Sequence, residues 1–496
     1  MKNQVQLITY VDRLGGGGLA GLQSLLAGPL RDLFGGVHLL PFFTPIDGSD
    51  AGFDPIDHAT VDPRLGDWTD VRQLGKDYEI MADLIVNHMS AQSAQFLDYS
   101  AKGGKSEYNG LFLRLSKVFP QGATEEDLLK IYRPRPGLPF TYTTLANGQK
   151  AILWTSFTSN QIDIDVTHAS GQRYLTRILD AFAEAGIQSI RLDAAGYAIK
   201  KPGTNCFMIP ETFAFIGELA AAARTRGMEV LVEIHSYYRK QIEIAQRVDR
   251  VYDFALPPLV LHALINKTGR YLKQWLAISP RNAITVLDTH DGIGVIDVGA
   301  DAGSPNSPGL IPPEELSQLV EQMHANSANQ SRRATGAAAS NLDLYQVNCT
   351  YYDALGRNDR DYILARAIQF FSPGIPQVYY VGLLAGCNDM GLLEKTQVGR
   401  DINRHYYTPA EVAEHVERPV VKDLFRLIHF RNTHSAFGGT FSLPACPDTQ
   451  FYARWTHEDA WAELQIDFAN SRATILHNGD TGHAVFDLFQ HLDMMQ

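Results

Sequence analysis

The strongest constraint on the fold is a repeated alternation. Eight short, apolar, β-rich runs recur along the chain, at residues 5–11, 36–43, 81–87, 189–193, 230–234, 251–256, 284–288 and 377–381. Several are nearly continuous in apolar residues, the pattern of strands buried on both faces. Helical patterns fit between them. Tyr174, Leu175, Ile178, Leu179 and Phe182 share one helical face, and Gly186 follows as a stop. Residues 211–226 are Ala-rich and end at Gly227. Residues 360–371 and 420–430 repeat the theme, the second behind Pro419 at a first helical position. Eight strands alternating with helices predict an α/β chain folded as a (β/α)8 TIM barrel.

Two connections are too long for simple crossovers. Residues 89–170 follow the third strand, and residues 292–355 follow the seventh. Both leave the C-terminal end of a strand, where barrel sites are built. Beyond residue 436, Ala462, Leu464, Ile466 and Phe468 alternate with Glu463, Gln465 and Asp467, as in an antiparallel strand. A length of 496 residues, room for roughly three domains at about 150 each, is therefore read as one interrupted barrel. Barrel segments are expected at 1–86, 167–291 and 356–435, loop-rich insertions at 87–166 and 292–355, and a small C-terminal β domain at 436–496.

Charge narrows the partners. There are 43 basic and 55 acidic residues, a net charge of −12. That argues against nucleic acid or an anionic membrane, although a few arginines in a cleft can still admit a small anion. No apolar run approaches about 18 residues, so no membrane span is expected. The first strand begins at Val5, which leaves no room for a signal peptide. Cys206, Cys349, Cys387 and Cys446 are scattered without a Cys-x-x-Cys pair, so neither a zinc site nor a redox motif or its cofactor is suggested, and a reduced, cytoplasmic protein is expected. The glycines at 15–18 lack the Gly-Lys-Ser/Thr ending of a phosphate loop and read as a flexible connection.

Chemistry-bearing residues gather at the predicted strand ends. The third ends in Asp83-Leu84-Ile85-Val86-Asn87-His88, the fourth in Arg191-Leu192-Asp193, the fifth in Glu233-Ile234-His235, and the seventh in Asp288-Thr289-His290-Asp291. In a barrel these ends ring one mouth. Carboxyl groups distant in sequence then converge on one bond, as glycoside chemistry requires: one attacks the anomeric carbon and one protonates the leaving oxygen. Taken singly, each acid reads more readily as a loop cap or an ion-pair partner than as a catalytic group.

The ordered set of residues 83–88, 191–193, Glu233 and His290-Asp291 resembles the four signature regions of the α-amylase family of retaining α-glucosidases and transglycosidases. Within it the chain is most similar to the sucrose phosphorylase branch. That likeness is carried by Asp50-Ala51-Gly52-Phe53-Asp54-Pro55, Tyr132-Arg133-Pro134-Arg135-Pro136-Gly137, Asn341-Leu342-Asp343-Leu344-Tyr345-Gln346 and Gly399-Arg400-Asp401-Ile402-Asn403-Arg404. Ala194-Ala195-Gly196-Tyr197 stands where typical members carry a Lys-His pair, a departure that favours a short, closed pocket.

The resemblance implies roles. Asp193 would be the nucleophile, Glu233 the acid and then the base, and Asp291 the stabiliser of the transition state. Asp50 and Arg400 would grip the far sugar hydroxyls, with His88 and His290 beside them and Arg191 orienting Asp193. Phe53, Phe157, Tyr197 and Gln161 would line the same pocket; core packing is the plainer reading of those rings. His235, Arg135, Asp343, Tyr345 and Gln346 would form the acceptor side. The implied substrates are sucrose, phosphate, glucose 1-phosphate and fructose. Asn87 stands where many members ligate calcium, yet this branch generally does without the ion. Phosphorylases of sucrose 6′-phosphate, glucosylglycerol or glucosylglycerate stay open as alternatives. So do a hydrolase or transglucosidase and a non-catalytic sugar-binding barrel. The association state stays open between monomer and homodimer.

Overall fold

The computed structural model describes residues 1–48, 50–133, 137–301, 307–335, 346–479 and 482–494. Eight parallel strands close into a barrel: β1 (Gln6–Thr9), β2 (Gly36–Leu39), β3 (Glu79–Ile85), β4 (Ser189–Asp193), β5 (Glu229–Val232), β6 (Arg250–Asp253), β7 (Ala283–Thr285) and β8 (Ile375–Tyr379). Each strand pairs with its sequence neighbours, and β8 closes on β1 with Gln6 opposite Gln377.

Period-two alternation sorts the side chains. Ile80, Ala82 and Leu84 of β3, with Ile190 and Leu192 of β4, enter the large apolar layer beneath the helices. Met81 belongs instead to a separate cluster with Leu231, Tyr252, Ile284 and Ile375, which fills the barrel interior. Asp83, Arg191 and Asp193 therefore share the interior face with Met81. The register sets Arg191 directly across from Asp83.

Helices Ala169–Glu184, Pro210–Arg224, Asp359–Phe371 and Pro419–Thr433 occupy the predicted segments. Proline opens the second and fourth, and Asn358 caps the third by accepting from the Asp361 N–H. Several strands are shorter than their apolar runs. β2 ends at Leu39 because Pro41 follows and cannot donate to a ladder; Phe43–Thr44 pairs separately with Asp57–Val61. After β6 and β8 the apolar run continues into helices that begin at Leu256 and Tyr380.

The glycine connection is a shaped turn rather than a flexible one. Gly15, Gly16 and Gly18 have φ of 79°, 66° and 62°, and the Gly15 N–H donates to the Tyr407 carbonyl at 2.9 Å. A Cβ on Gly18 would sit 2.6 Å from the Leu65 oxygen.

Small antiparallel pairs decorate the barrel mouth, among them His88–Ser90 with Gln161–Asp163 and Ile293–Gly294 with Gln346–Val347. Five antiparallel strands follow the barrel, Thr440–Ser442, Gln450–His457, Ala460–Asp467, Arg472–Gly479 and Gly482–Phe486, with a short helix at Gln490–Asp493 behind them. Phe451, Ala453 and Trp455 are buried with Ala462, Leu464 and Ile466. The Trp455 indole donates to the Phe371 carbonyl at 2.8 Å and anchors the sheet to the barrel. Among the described residues, no helix is long and apolar enough to cross a membrane.

Leu464→Ala opens a cavity in this outer sheet. It should cost about 2–5 kcal/mol and lower the melting temperature. Turnover at 25 °C should not change, since the sheet lies outside the barrel mouth. Thermal denaturation beside an activity assay reads both.

Candidate active site

Arg191 is the organising side chain. Its guanidinium is almost wholly buried, at 1% exposure, beneath the barrel mouth. One terminal nitrogen pairs with Asp83 Oδ1 and lies 3.1 Å from Asp193 Oδ1. The other lies 2.5 Å from Glu233 Oε1. His38 Nε2 sits 3.1 Å from the second oxygen of Asp83. Burial opposes ionisation of Asp83, but Arg191 and His38 hold it at about 2. Burial pushes the Asp193 carboxyl well above its ordinary range; Arg191 opposes this, and Glu233, Asp83 and Asp291 add to it. Ala194, the next residue, turns the chain with φ of 54°, a conformation costly for a residue with a Cβ.

A second arginine organises the opposite wall. Arg400 spans two carboxylates, with Nη1 2.5 Å from Asp291 Oδ1 and Nη2 2.6 Å from Asp50 Oδ1. Arg404 adds a contact to Asp291 at 3.7 Å. Burial works against the Asp291 carboxylate, yet His290, Arg400 and Arg404 hold it well below the usual range. Gln161 donates to Asp50 Oδ2 at 3.2 Å and lies 3.1 Å from His88 Nε2. The His290 and Phe53 rings stack at 4.8 Å. Burial drives His290 down to about 3 and lowers His88 as well, so both are neutral at pH 7.

These groups enclose a cavity of about 430 Å³, the scale of a small-molecule site. It is lined by Asp50, Phe53, His88, Phe157, Gln161, Asp193, Tyr197, Glu233, His235, His290, Asp291, Gln346 and Arg400. Those thirteen come from eight separate stretches of the chain, yet they meet in one pocket. Phe157 contacts both His88 and Tyr197 edge-on, at 5.2 and 5.1 Å. Arg191 lies under the lining rather than in it. Arg135, Asp343 and Tyr345 fall outside the described residues.

Several participants had no role in the sequence reading. Phe207 and Met208, from the loop after β4, also line the cavity. Asp297 holds His235 from the loop after β7. Lys200 is buried, with its ammonium 2.5 Å from Asp163 Oδ2 and 2.6 Å from Asn87 Oδ1. Asp163 also accepts from the Ser156 N–H and hydroxyl, at 2.9 and 2.6 Å. Lys200 thus ties the loop after Asp193 to the strand pair that delivers His88 and Gln161. The ammonium supplies the positive charge beside Asn87. Among the described residues, no group of three or more His, Cys, Asp or Glu is placed to hold a metal ion. Only proximity in sequence to His88 and Asp193 could have flagged these residues.

Comparison with known proteins gives a consistent result. The alpha-amylase catalytic-domain family matches residues 12–253. A sucrose phosphorylase of Agrobacterium vitis is 63% identical over 479 residues, 97% of this chain and 98% of the relative. A sucrose phosphorylase of Bifidobacterium adolescentis is 57% identical over 467 residues, 94% and 92% of the two chains. Among solved structures, sucrose 6F-phosphate phosphorylase from Thermoanaerobacter thermosaccharolyticum aligns with a TM-score of 0.91 at 39% identity, covering 98% of each chain.

Lys200→Met removes the only basic partner that Asp163 has among the described residues. Breaking such a buried pair should cost about 3–5 kcal/mol, seen as a lowered thermal midpoint. Adding Asp163→Asn should recover part of the loss, because the stranded charge goes with it.

Proposed function

Given that the chain belongs to the sucrose phosphorylases, a branch of the α-amylase family, we infer that it catalyses the reversible phosphorolysis of sucrose to α-D-glucose 1-phosphate and fructose. The observation that carries the mechanism is the single guanidinium of Arg191 shared by Asp193 and Glu233. Two carboxyls on one guanidinium are close neighbours, as double displacement requires at about 5–5.5 Å.

In this reading Asp193 attacks the glucosyl anomeric carbon while Glu233 protonates the departing fructosyl oxygen. A β-glucosyl ester on Asp193 results. Phosphate then attacks the same carbon from the face that fructose left, and two inversions give net retention. The acid step needs a proton on Glu233, and the attack needs Asp193 ionised, the form that the Arg191 guanidinium favours. Arg191 donates to Asp193 and so steadies the carboxylate that attacks and later departs. Asp291, held ionised, lies where positive charge develops at the anomeric centre.

Asp50 and Arg400 form a preset ion pair whose remaining lone pairs and N–H groups suit sugar hydroxyls. His88 and His290 are neutral donors beside them. Phe53, Phe157 and Tyr197 offer apolar faces, and Gln161 closes the far end. The acceptor side draws on His235 and Gln346 and, from the resemblance, on Arg135, Asp343 and Tyr345. The insertions at 87–166 and 292–355 act as opposite walls of the pocket. Four free thiols support a reducing, cytoplasmic setting.

The test is release of glucose 1-phosphate from sucrose in phosphate buffer, run beside sucrose 6′-phosphate and glucosylglycerol. Sucrose should be the preferred donor; glucose release without glucose 1-phosphate would make the protein a hydrolase. Asp193→Asn should reduce turnover by at least roughly 10⁴-fold, the scale of a lost nucleophile. Glu233→Gln should lose activity on sucrose but keep much of the glucosyl transfer from α-D-glucosyl fluoride, whose leaving group needs no proton.

A further inference from the structure

The cavity poses an electrostatic problem. A phosphate dianion must enter a pocket whose walls carry Asp50, Asp193, Glu233 and Asp291. Among the described residues lining it, the basic side chains are Arg400 and the histidines at 88, 235 and 290. Arg400 is held by two carboxylates, and burial keeps His88 and His290 neutral. His235 differs in its partner. Its Nδ1 lies 3.0 Å from Asp297 Oδ2. Its Nε2 points the other way, 3.4 Å from the Gln346 side chain on the pocket wall.

Asp297 is itself fixed. It is fully buried, and its Oδ1 accepts from the Ser236 N–H at 3.0 Å and from Gln241 Nε2 at 2.6 Å. The His235 ring lies flat on Phe254, 3.8 Å between centroids and 14° between planes. Gly294 gives the pair room, since a Cβ there would sit 2.7 Å from Asp297 Oδ2 and 3.3 Å from His235 Nδ1.

We propose that Asp297 is a positioning residue for phosphate capture: it fixes the His235 ring with Nδ1–H on the carboxylate and presents Nε2–H to the phosphate dianion that accepts the glucosyl unit. The proposal rests on the phosphorolysis reading above. His235 stands two residues beyond Glu233, on the face where fructose leaves. Retention requires phosphate to enter by that face. Hydrogenphosphate needs no base: an oxygen lone pair forms the bond to the anomeric carbon, and the electrons of the broken ester bond return to Asp193. Two negative charges on phosphate become one on glucose 1-phosphate and one on Asp193. His235 therefore has only to attract and orient, a task for a fixed cation. The charged groups around it are Asp297, Glu233 and Asp291, and the Asp297 charge also reaches Asp253 of the adjacent strand. Against burial, which favours the neutral ring, Asp297 holds His235 above its ordinary range.

The measurement is the ratio of glucose 1-phosphate to glucose formed from sucrose at fixed phosphate. Both products partition from one glucosyl-enzyme, so the ratio is blind to the first half-reaction. Asp297→Asn should lower it at least about tenfold at pH 7, the scale of a lost charge-assisted hydrogen bond. Sucrose hydrolysis in phosphate-free buffer should persist. Because Asp297 favours the imidazolium, the pH at which the ratio falls should move lower in the variant. In a His235→Gln background, adding Asp297→Asn should change nothing further. An unchanged ratio in the single variant, or an equal further fall in the double, overturns the proposal. If Asp297→Asn also loses hydrolysis, Gly294→Ala disturbs the same carboxylate and is read by the same ratio. A wild-type protein that forms no glucose 1-phosphate would instead overturn the reading of function.

Discussion

Three carboxyl groups meet at the barrel mouth because one guanidinium lies beneath them. Arg191 faces the interior from β4, opposite Asp83 by strand register, with Asp193 two residues on and Glu233 at the end of the next strand. Without that cation, Asp83, Asp193 and Glu233 would be buried anions at close range, an arrangement that would take up protons or admit water. The barrel makes the placement automatic: residues two apart on a strand share a face, and parallel register aligns neighbours. The site is thus a property of strand periodicity before it is one of loops.

The same economy recurs around the pocket. Arg400 holds Asp50 and Asp291 as Arg191 holds its three acids, so two arginines account for five carboxylates. The three pocket histidines have one chemistry and separate fates. Burial, first of all, leaves His88 and His290 neutral, with Arg191 and Arg404 adding to it at His290, whereas His235 has Asp297 behind it. An acidic protein can in this way present a local cation to an anionic substrate. Net charge governs the surface and says little about a desolvated pocket.

The barrel was legible in the sequence because its strands and helices carry local signals: apolar runs, facial periodicity, proline starts and glycine stops. Strand ends were less legible, since an apolar run continues past β6 and β8 into buried helices with no change in composition. The acids and histidines at strand ends were found because four motifs fall in order. Lys200 and Asp297 were not. Each draws its importance from a partner 37 or 62 residues away, and a single sequence holds no trace of such pairings. The glycine turn was misjudged for a related reason: Gly18 is required by the approach of Leu65, which only the folded chain reveals.

One closing contact has a consequence for how the molecule comes into being. Because β1 bonds to both β2 and β8, one side of the first strand has no partner until the chain has reached Gln377. A sheet formed before that point has an unsatisfied edge at its first strand. The interrupting segments after β3 and β7 lengthen that interval. An edge left unpaired for that long is a template for pairing with another chain, and closure of the last strand onto the first removes it.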